Sequence, residues 1–284
     1  MKNEQGQTLK EFLEEYNPNL YENPSCTVDI VLMTVSEDVL KLLLIKRRNH
    51  PWIGQWALPG GFVNMDEDLD VAAARELEEE THITQNTYFH QLYTLGTVNR
   101  DPRTRIISTV YFSMTPEENI KNTYAGDDAK EAEWFTITKV VEKINKKERV
   151  SKLYLVNEKR NVQMHYEIHD VAMKNYIQTR SKLLKESNSE LACDHIKAIN
   201  MAMDQLKNRS TSTGYLFNLL PKEVTLREIQ RVYELIQGKK TDTANFRRDI
   251  KKMLIETGKT KKVSGKDTKL YRFNPMFEFL EENL

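Results

Sequence analysis

The chain has 284 residues, enough for two modest domains, and 39% of them are hydrophobic, which suffices for globular cores. Its 42 basic and 42 acidic side chains cancel, so no global field draws the whole protein to nucleic acid or to a membrane surface. The two cysteines, Cys26 and Cys193, are too few and too far apart for a disulfide framework or a cysteine zinc site. The first residues lack the apolar core of a signal peptide, and no apolar run approaches the ~20 residues that span a bilayer, so we expect a cytoplasmic protein.

Hydrophobic periodicity predicts an α/β domain over residues 1–210. Apolar residues at helical spacing mark helices, and runs of β-branched residues bounded by turn residues mark strands. On these grounds we expect helices at 8–16 and 68–81, and strands at 27–35, 40–48, 56–63, 88–98, 104–114 and 132–137, followed by a hairpin at 152–168. Helical spacing then continues to about residue 209, with a polar break at 185–190.

The pattern changes after the Ser/Thr/Gly-rich stretch 208–214, which suits an exposed linker. A helix is predicted over 225–238, because Thr225 and Glu228 form a capping-box pair and a glycine closes the segment. A second helix is expected over 243–258, and alternation around Ser264-Gly265 predicts a hairpin over 260–273. Helix, turn, helix and hairpin is the order of a winged helix-turn-helix, which we expect to form a second domain over 211–284.

The second predicted helix is unusually rich in carboxylates. The stretch GGFVNMDEDLDVAAARELEEETHI (60–83) contains eight acidic side chains, and like charges three and four apart on a helix repel by roughly 0.2–0.5 kcal/mol per pair. Glu76, Glu79 and Glu80 lie at i, i+3 and i+4, so they project from one face within a turn, and Arg75 can brace Glu79. A cation would neutralise this cluster, and hard oxygen ligands suit Mg²⁺ or Mn²⁺. The alternative is a solvated acidic face on an ordinary helix.

This stretch resembles the motif of the Nudix hydrolases. In that motif a glycine is followed after five residues by a glutamate, and after seven more by Arg-Glu-aliphatic-any-Glu-Glu-any-Gly-aliphatic. The matching residues are Gly61, Glu67, Arg75, Glu76, Leu77, Glu79, Glu80 and Ile83, and the preceding WALPGG also fits the family. His82 stands where the motif has its last glycine. It falls just past the predicted helix end, where a left-handed backbone is common, so we expect a locally altered loop that leaves the metal ligands in place.

The resemblance implies a Nudix α/β/α sandwich with a mixed sheet, and a divalent-cation-dependent hydrolase of a nucleoside diphosphate linked to another moiety. Residue by residue, it implies that Mg²⁺ or Mn²⁺ is bound by Glu76, Glu79, Glu80 and the carbonyl of Gly60, that Glu67 supports this shell and that Arg75 holds a glutamate in place. A metal-bound water would then act as the nucleophile near neutral pH. The alternative is a Nudix fold retained only for ligand binding.

Two further segments resemble those of ADP-ribose-type members of the family. Arg103 and Arg105 stand in DPRTR, and arginines suit a phosphate or a terminal ribose. Asp127 and Asp128 stand in AGDDAKEAEWF, where a carboxylate could serve as general base. For the arginines, the alternative is an ordinary solvated loop. The resemblance implies an ADP-ribose-like substrate.

The tail of the chain is locally basic, with twelve basic residues against four acidic ones between positions 239 and 272. In a winged helix the second helix enters the major groove and the wing follows the phosphates. The second tail helix offers phosphate-contacting and base-reading groups at Asn245, Arg247, Arg248, Lys251 and Lys252. The alternatives are a solvated basic face and a docking module for a protein partner.

A Nudix-like domain followed by such a tail resembles the nicotinamide-ribose transcriptional regulators. That resemblance implies double-stranded DNA as a partner, and a homodimer follows because helix-turn-helix proteins usually bind paired half-sites. Two function classes therefore remain: a Nudix pyrophosphohydrolase with a DNA-binding regulatory role, and a non-catalytic regulator that senses an ADP-ribose-type ligand. The complete glutamate and arginine set favours hydrolysis, since a pure sensor has no need to keep it together.

Overall fold

The computed structural model describes residues 1–83, 88–120, 131–210 and 214–277. The helices are α1 Leu9–Glu15, α2 Leu69–Thr81, α3 His195–Arg209, α4 Leu226–Gln237 and α5 Thr243–Lys251, with short 3₁₀ helices at Glu117–Asn119 and Gly214–Leu219. The strands are β1 Ser25–Ser36, β2 Val39–Lys46, β3 Trp56–Ala57, β4 Gly60–Phe62, β5 Tyr88–Leu95, β6 Ile106–Met114, β7 Ala132–Ile144, β8 Glu148–Asn157, β9 Val162–Ala172, β10 Ile177–Leu183, β11 Leu254–Val263 and β12 Lys266–Phe273.

The first ten strands form one mixed sheet, in the order β10-β9-β8-β7-β2-β1-β6-β5, with β3 added to β2 and β4 to β1. Strand β1 runs parallel to β6 and antiparallel to β2 and β4. The β1–β2 hairpin turns at Glu37 and Asp38, whose φ angles of 52° and 63° are those of the turn that matches the twist of paired strands. We call this part the sheet domain.

Strand β1 is buried on both faces, which explains its unbroken apolar run. Ile30 and Leu32 face α2 and pack with Leu77 of that helix. Val31 and Met33 face the other way, into the cluster to which α3 contributes. Helices therefore cover both faces of the sheet, and the predicted α/β/α sandwich with a mixed sheet is confirmed. No helix of the described chain is both long enough and apolar enough to cross a membrane.

The predicted helix between residues 169 and 184 is wrong. Strand β9 continues to Ala172, and the chain then returns as β10, which pairs antiparallel with it from Ile177 opposite Ala172 to Leu183 opposite Tyr166. The free edge of β9 supplies backbone hydrogen bonds that local spacing cannot reveal, and such a partner overrides a weak helical pattern. Helix begins only at His195.

The second tail helix is shorter than predicted. Helix α5 ends at Lys251, and the segment from Leu254 onwards is strand β11, which pairs with β12. Gly258, expected to close a helix, has φ +74° and lies where the β11–β12 register shifts. A glycine in the left-handed region is typical of such a bulge. The hairpin at Ser264-Gly265 and the helix over 225–238 with its capping box are confirmed.

Residues 214–277, which we call the tail domain, pack directly against the sheet domain. One buried apolar cluster runs from Met33 of β1 through Leu206 of α3 to Ile229 of α4 and Phe246 of α5. The side-chain amide of Gln237, the last residue of α4, donates to the carbonyl of Lys207 at 2.8 Å and to Oγ of Ser210 at 2.7 Å. The helix-turn-helix is therefore fixed to the end of α3.

Candidate nucleotide and DNA sites

A glycine turn precedes α2 and lies against it. Gly60 has φ +151°, and a Cβ at that position would come within 2.1 Å of the carbonyl oxygen of Val28. A Cβ on Gly61 would come within 2.3 Å of Oε1 of Glu76. The turn can therefore approach both the central strand and the helix only because neither residue has a side chain.

The predicted glutamates of α2 do not all point the same way. Glu76 is 8% exposed and Glu80 is 4% exposed, and the backbone N–H of Gly60 donates to Oε2 of Glu80 at 2.9 Å. Glu79 has a side chain 57% exposed and accepts from Nη1 of Arg75 at 3.2 Å. Within the part of the chain that the structure describes, no three His, Cys, Asp or Glu side chains are grouped so that they could hold a metal ion. The three-glutamate metal site stays a prediction.

Arg75 ties the acidic residues of the motif together. Its Nη2 donates to Oε1 of Glu67 at 2.6 Å, its Nε donates to Oε2 of the same carboxylate at 2.9 Å, and its Nη1 donates to Oε1 of Glu76 at 2.8 Å. The hydrogen bond from Arg75, followed by one from the backbone of Asn64, lowers the pKa of Glu67 to about 2. The same pairing raises the pKa of the Arg75 guanidinium. Arg75 thus holds Glu67 and Glu76, whereas the role that the resemblance implied for these residues around a metal stays a prediction.

His82 ends α2 in the left-handed conformation, with φ 59° and ψ 20°. Its backbone N–H donates to the carbonyl of Glu78 at 2.8 Å, which caps the last turn. The left-handed backbone expected just past the helix end is thus present, with a histidine in the conformation that suits glycine. The altered loop expected there stays a prediction, because residues 84–87 lie outside the described residues.

A cavity of about 230 Å³ opens beside the glycine turn, and its lining combines three arginines with two aspartates, Asp29 and Asp101. The residues that line it include Arg47, Trp52, Gly60, Gly61, Arg100, Arg103 and His195. Burial, and after it the charge of Arg103, lower the pKa of Arg47. The guanidinium groups in this lining suit an anionic group such as a phosphate.

The predicted substrate residues fall into three groups. Arg103 lines the cavity, where its Nη2 donates to Oδ2 of Asp101 at 2.9 Å. Arg105 instead donates from Nη1 to the carbonyl of Thr97 at 3.1 Å. Asp127 and Asp128 lie outside the described residues.

Sequence reasoning missed the residues behind the cavity. Arg100, whose side chain is 5% exposed, bonds from Nη2 to Oδ1 of Asp194 at 2.6 Å. Next to it, Nδ1 of the buried His195 accepts the backbone N–H of Leu58 at 3.0 Å. Burial lowers the pKa of His195, so the ring is neutral at pH 7 and its proton lies on Nε2, which faces Asp29 at 3.6 Å. These partners are separated by 94 and 137 residues in the chain, so no local motif could have revealed them.

The tail domain presents a basic helix to solvent. The side chain of Asp242 caps α5 by accepting the N–H of Asn245 at 2.8 Å, and Phe246 and Ile250 are buried on its inner side. The five predicted DNA-binding residues are all exposed: Asn245, Arg247, Arg248, Lys251 and Lys252. A groove of about 860 Å³ lies between α4, α5 and the β11–β12 hairpin, which forms the wing. Its lining includes Arg227, Arg231, Arg247, Lys261 and Lys262. The helix and the groove together offer the cationic surface that DNA phosphates require.

Comparison with known proteins gives matches to both domains. Residues 26–155 match the NUDIX domain family, and residues 216–273 match the NrtR DNA-binding winged helix domain. The chain is 29% identical over 266 residues to the ADPR responsive transcriptional repressor NtrR of Acinetobacter baylyi, covering 92% of this chain and 87% of that protein. It is 37% identical over 146 residues to the ADP-ribose pyrophosphatase of Methanocaldococcus jannaschii, covering 51% of this chain and 80% of that protein. The crystal structure of Shewanella oneidensis NrtR complexed with a 27mer DNA superimposes with a TM-score of 0.65 at 26% identity, covering 89% of this chain and 95% of the other.

Proposed function

This chain belongs to the Nudix family and carries an NrtR-type DNA-binding winged helix domain, and from that premise we propose that it is a transcriptional regulator controlled by an ADP-ribose-like nucleoside diphosphate. The observation that carries the proposal is that a cavity with three arginines in its lining and an exposed basic helix occur in one closely packed chain. A relative described as an ADPR-responsive repressor aligns along 92% of the chain, which supports the same combination.

The cavity beside the glycine turn suits the proposed ligand. Arg47 and Arg103 supply positive charge for a diphosphate, and the ring of Trp52 offers a surface on which a base can stack. Arg105, Asp127 and Asp128 remain proposed contacts on the strength of the family resemblance alone. Binding of ADP-ribose to the purified protein, measured by calorimetry, tests this assignment.

In the tail domain, α5 would read the major groove and the wing would contact the backbone. Arg247, Arg248, Lys251 and Lys252 would contact phosphates, and Asn245 has the amide that can read an adenine. A homodimer is part of the proposal, because two winged helices are needed for paired half-sites.

The test begins with the selection of duplexes from a random-sequence pool by the full-length protein. Affinity for the selected duplex should fall steeply as salt rises, and ADP-ribose should change it. Replacing Arg247 by Ala should weaken binding by about three- to tenfold and reduce the salt slope by about 0.9. Arg180→Ala, which removes an exposed arginine from β10, should leave binding unchanged. Selection that enriches no duplex even at low salt would contradict the proposal.

A second candidate function is hydrolysis of the same ligand, and the network of Glu67, Arg75 and Glu76 favours it. The donor set fits a hard cation, because Glu76 and Glu80 are buried carboxylates one turn apart, and the missing Cβ of Gly61 lets the Glu76 carboxylate lie against the glycine turn. Mg²⁺ or Mn²⁺, when bound, would supply Lewis acidity and an activated water.

The chain's own residues would prepare this site. Arg75 holds Glu67 and Glu76, the N–H of Gly60 holds Glu80, and the Gly60 carbonyl with Glu79 would complete the ligand set. The test is release of AMP from ADP-ribose with Mg²⁺. Glu80→Gln should abolish release, whereas Glu78→Gln, an exposed change at the position where the motif accepts any residue, should retain it. Equal rates for both variants would exclude the assignment.

A further inference from the structure

We propose that helix α3 couples the nucleotide cavity to the winged helix, with His195 positioning the glycine turn at one end and Gln237 attaching α4 at the other. This inference rests on the proposed function, since it states how occupancy of the cavity reaches the DNA-binding surface. Two sets of contacts and one pocket carry it: the contacts at the first turn of α3, those at its last turn, and an unfilled space beside that last turn.

The first turn of α3 is bonded to the wall of the cavity. Nδ1 of His195 accepts the N–H of Leu58, and two residues further along the turn the N–H of Gly60 donates to Glu80. Asp194, the residue before the helix, binds Arg100, which lines the cavity. A ligand that moves the glycine turn or Arg100 must therefore move the start of α3 or break one of these contacts.

The last turn of α3 is bonded to the DNA-binding module. The helix has fifteen residues, so it carries a displacement over about 22 Å as one rigid element. At its end the amide of Gln237 donates to the carbonyl of Lys207 and to Oγ of Ser210. Gln237 is the final residue of α4, and only five residues separate it from the start of α5. The orientation of the reading helix is thus tied to the end of α3.

The space between α3, α4 and the sheet is not filled. A cavity of about 400 Å³ lies there, with a wall that includes Val39 and Ile137 of the sheet, Leu206 of α3, and Leu235 and Ile236 of α4. Close-packed cores resist displacement because every shift produces overlap. This pocket leaves the end of α4 without close-packed neighbours on one side, so that end can shift with α3 at less cost in overlap and the winged helix can follow.

The experiment measures the affinity of the full chain for the selected duplex with and without saturating ADP-ribose, and the ratio is the coupling factor. By linkage, the duplex must change ADP-ribose affinity by the same factor. Gln237→Ala should leave the affinity for each partner alone within about twofold, because Gln237 lies in neither site, while the coupling factor falls about three- to tenfold towards one. Gln91→Ala, an exposed glutamine on β5, should keep the wild-type factor.

A second pair of variants tests the cavity end. The side-chain oxygen of Asn can accept the Leu58 N–H in place of Nδ1, so His195→Asn should keep the coupling factor and His195→Leu should lower it. If His195 had a purely structural role, both variants would be less stable than the wild type, and their coupling factors would be the same. If the wild type shows coupling and Gln237→Ala keeps the same coupling factor, this inference is overturned and the proposed function stands. A wild type in which ADP-ribose and duplex have no mutual effect overturns both.

Discussion

Arg231 of α4 forms an ion pair with Asp38, at the tip of the β1–β2 turn, so a charged contact joins the tail domain to the sheet domain beside their shared apolar cluster. Both side chains are more than half exposed. Exposed pairs of this kind stabilise a protein by about 0–1 kcal/mol. Arg231→Ala should therefore lower the free energy of unfolding by less than about 1 kcal/mol, measured by urea denaturation. A larger loss would mean that the pair, rather than the apolar cluster, holds the domains together.

Gly61 is a position at which a single added methyl group should damage the candidate nucleotide site. A methyl group there would come within 2.3 Å of Glu76 and displace its carboxylate from Arg75. Because a shift of 1 Å at a reacting centre can cost about 10²-fold, Gly61→Ala should lower ADP-ribose turnover by about that factor. Gly96→Ala, where the nearest atom to the new Cβ is 4.0 Å away, should retain wild-type turnover. Turnover of Gly61→Ala and Gly96→Ala is compared with that of the wild type at saturating Mg²⁺, after circular dichroism has verified that each variant is folded.

His82→Gly should stabilise the protein. The residue has φ 59°, a conformation that costs an L-amino acid roughly 1–2 kcal/mol and glycine little, although glycine loses more entropy on folding. The net gain in the free energy of unfolding should be about 0.5–1 kcal/mol. Glu78→Gly, inside the same helix, should instead destabilise by about 1 kcal/mol. Urea denaturation of both variants checks the prediction, and a loss of stability in His82→Gly would contradict the strain at this position.

The low pKa of Glu67 predicts a pH-dependent contribution to stability. Hydrogen bonds from Arg75 lower its pKa from 4.5 to about 2, so the folded state holds this proton less tightly than the unfolded chain. The stabilisation is fully present above pH 4.5 and is lost as the pH falls towards 2. Wild type should therefore lose more stability over this interval than Glu67→Gln, whereas Glu158→Gln on the β8–β9 turn should follow wild type. Identical slopes for Glu67→Gln and wild type would contradict the pairing.

Features encoded within a few residues could be predicted from the sequence. The α2 motif, the Thr225–Glu228 capping box and the Ser264-Gly265 turn each depend on neighbours in the chain, and the structure has all three elements. Strand β10 was missed because its identity depends on an edge that β9 presents. Residues 254–258, the first half of β11, were assigned to a helix because the apolar residues after α5 pair with β12 rather than extend the helix.

The candidate nucleotide site likewise contains residues whose partners are near in the chain and residues whose partners are distant. Glu67 and Arg75 lie within one motif, so their pairing followed from spacing and resemblance. Arg100 and His195 reach the cavity from a loop and from the start of α3, and their partners are distant in the chain. Only tertiary packing brings them together, and a single sequence gives no record of it.

The apolar cluster that runs from β1 through α3 into α4 and α5 limits how this chain can change during evolution. A DNA-binding module joined by a flexible tether could be exchanged for another as an independent cassette. Here Leu206 of α3 and residues of the tail domain belong to one buried cluster, so a foreign module would need a matching apolar surface. Specificity for a new operator would therefore evolve through the exposed side chains of α5, while the buried side of the module stays fixed by its partner.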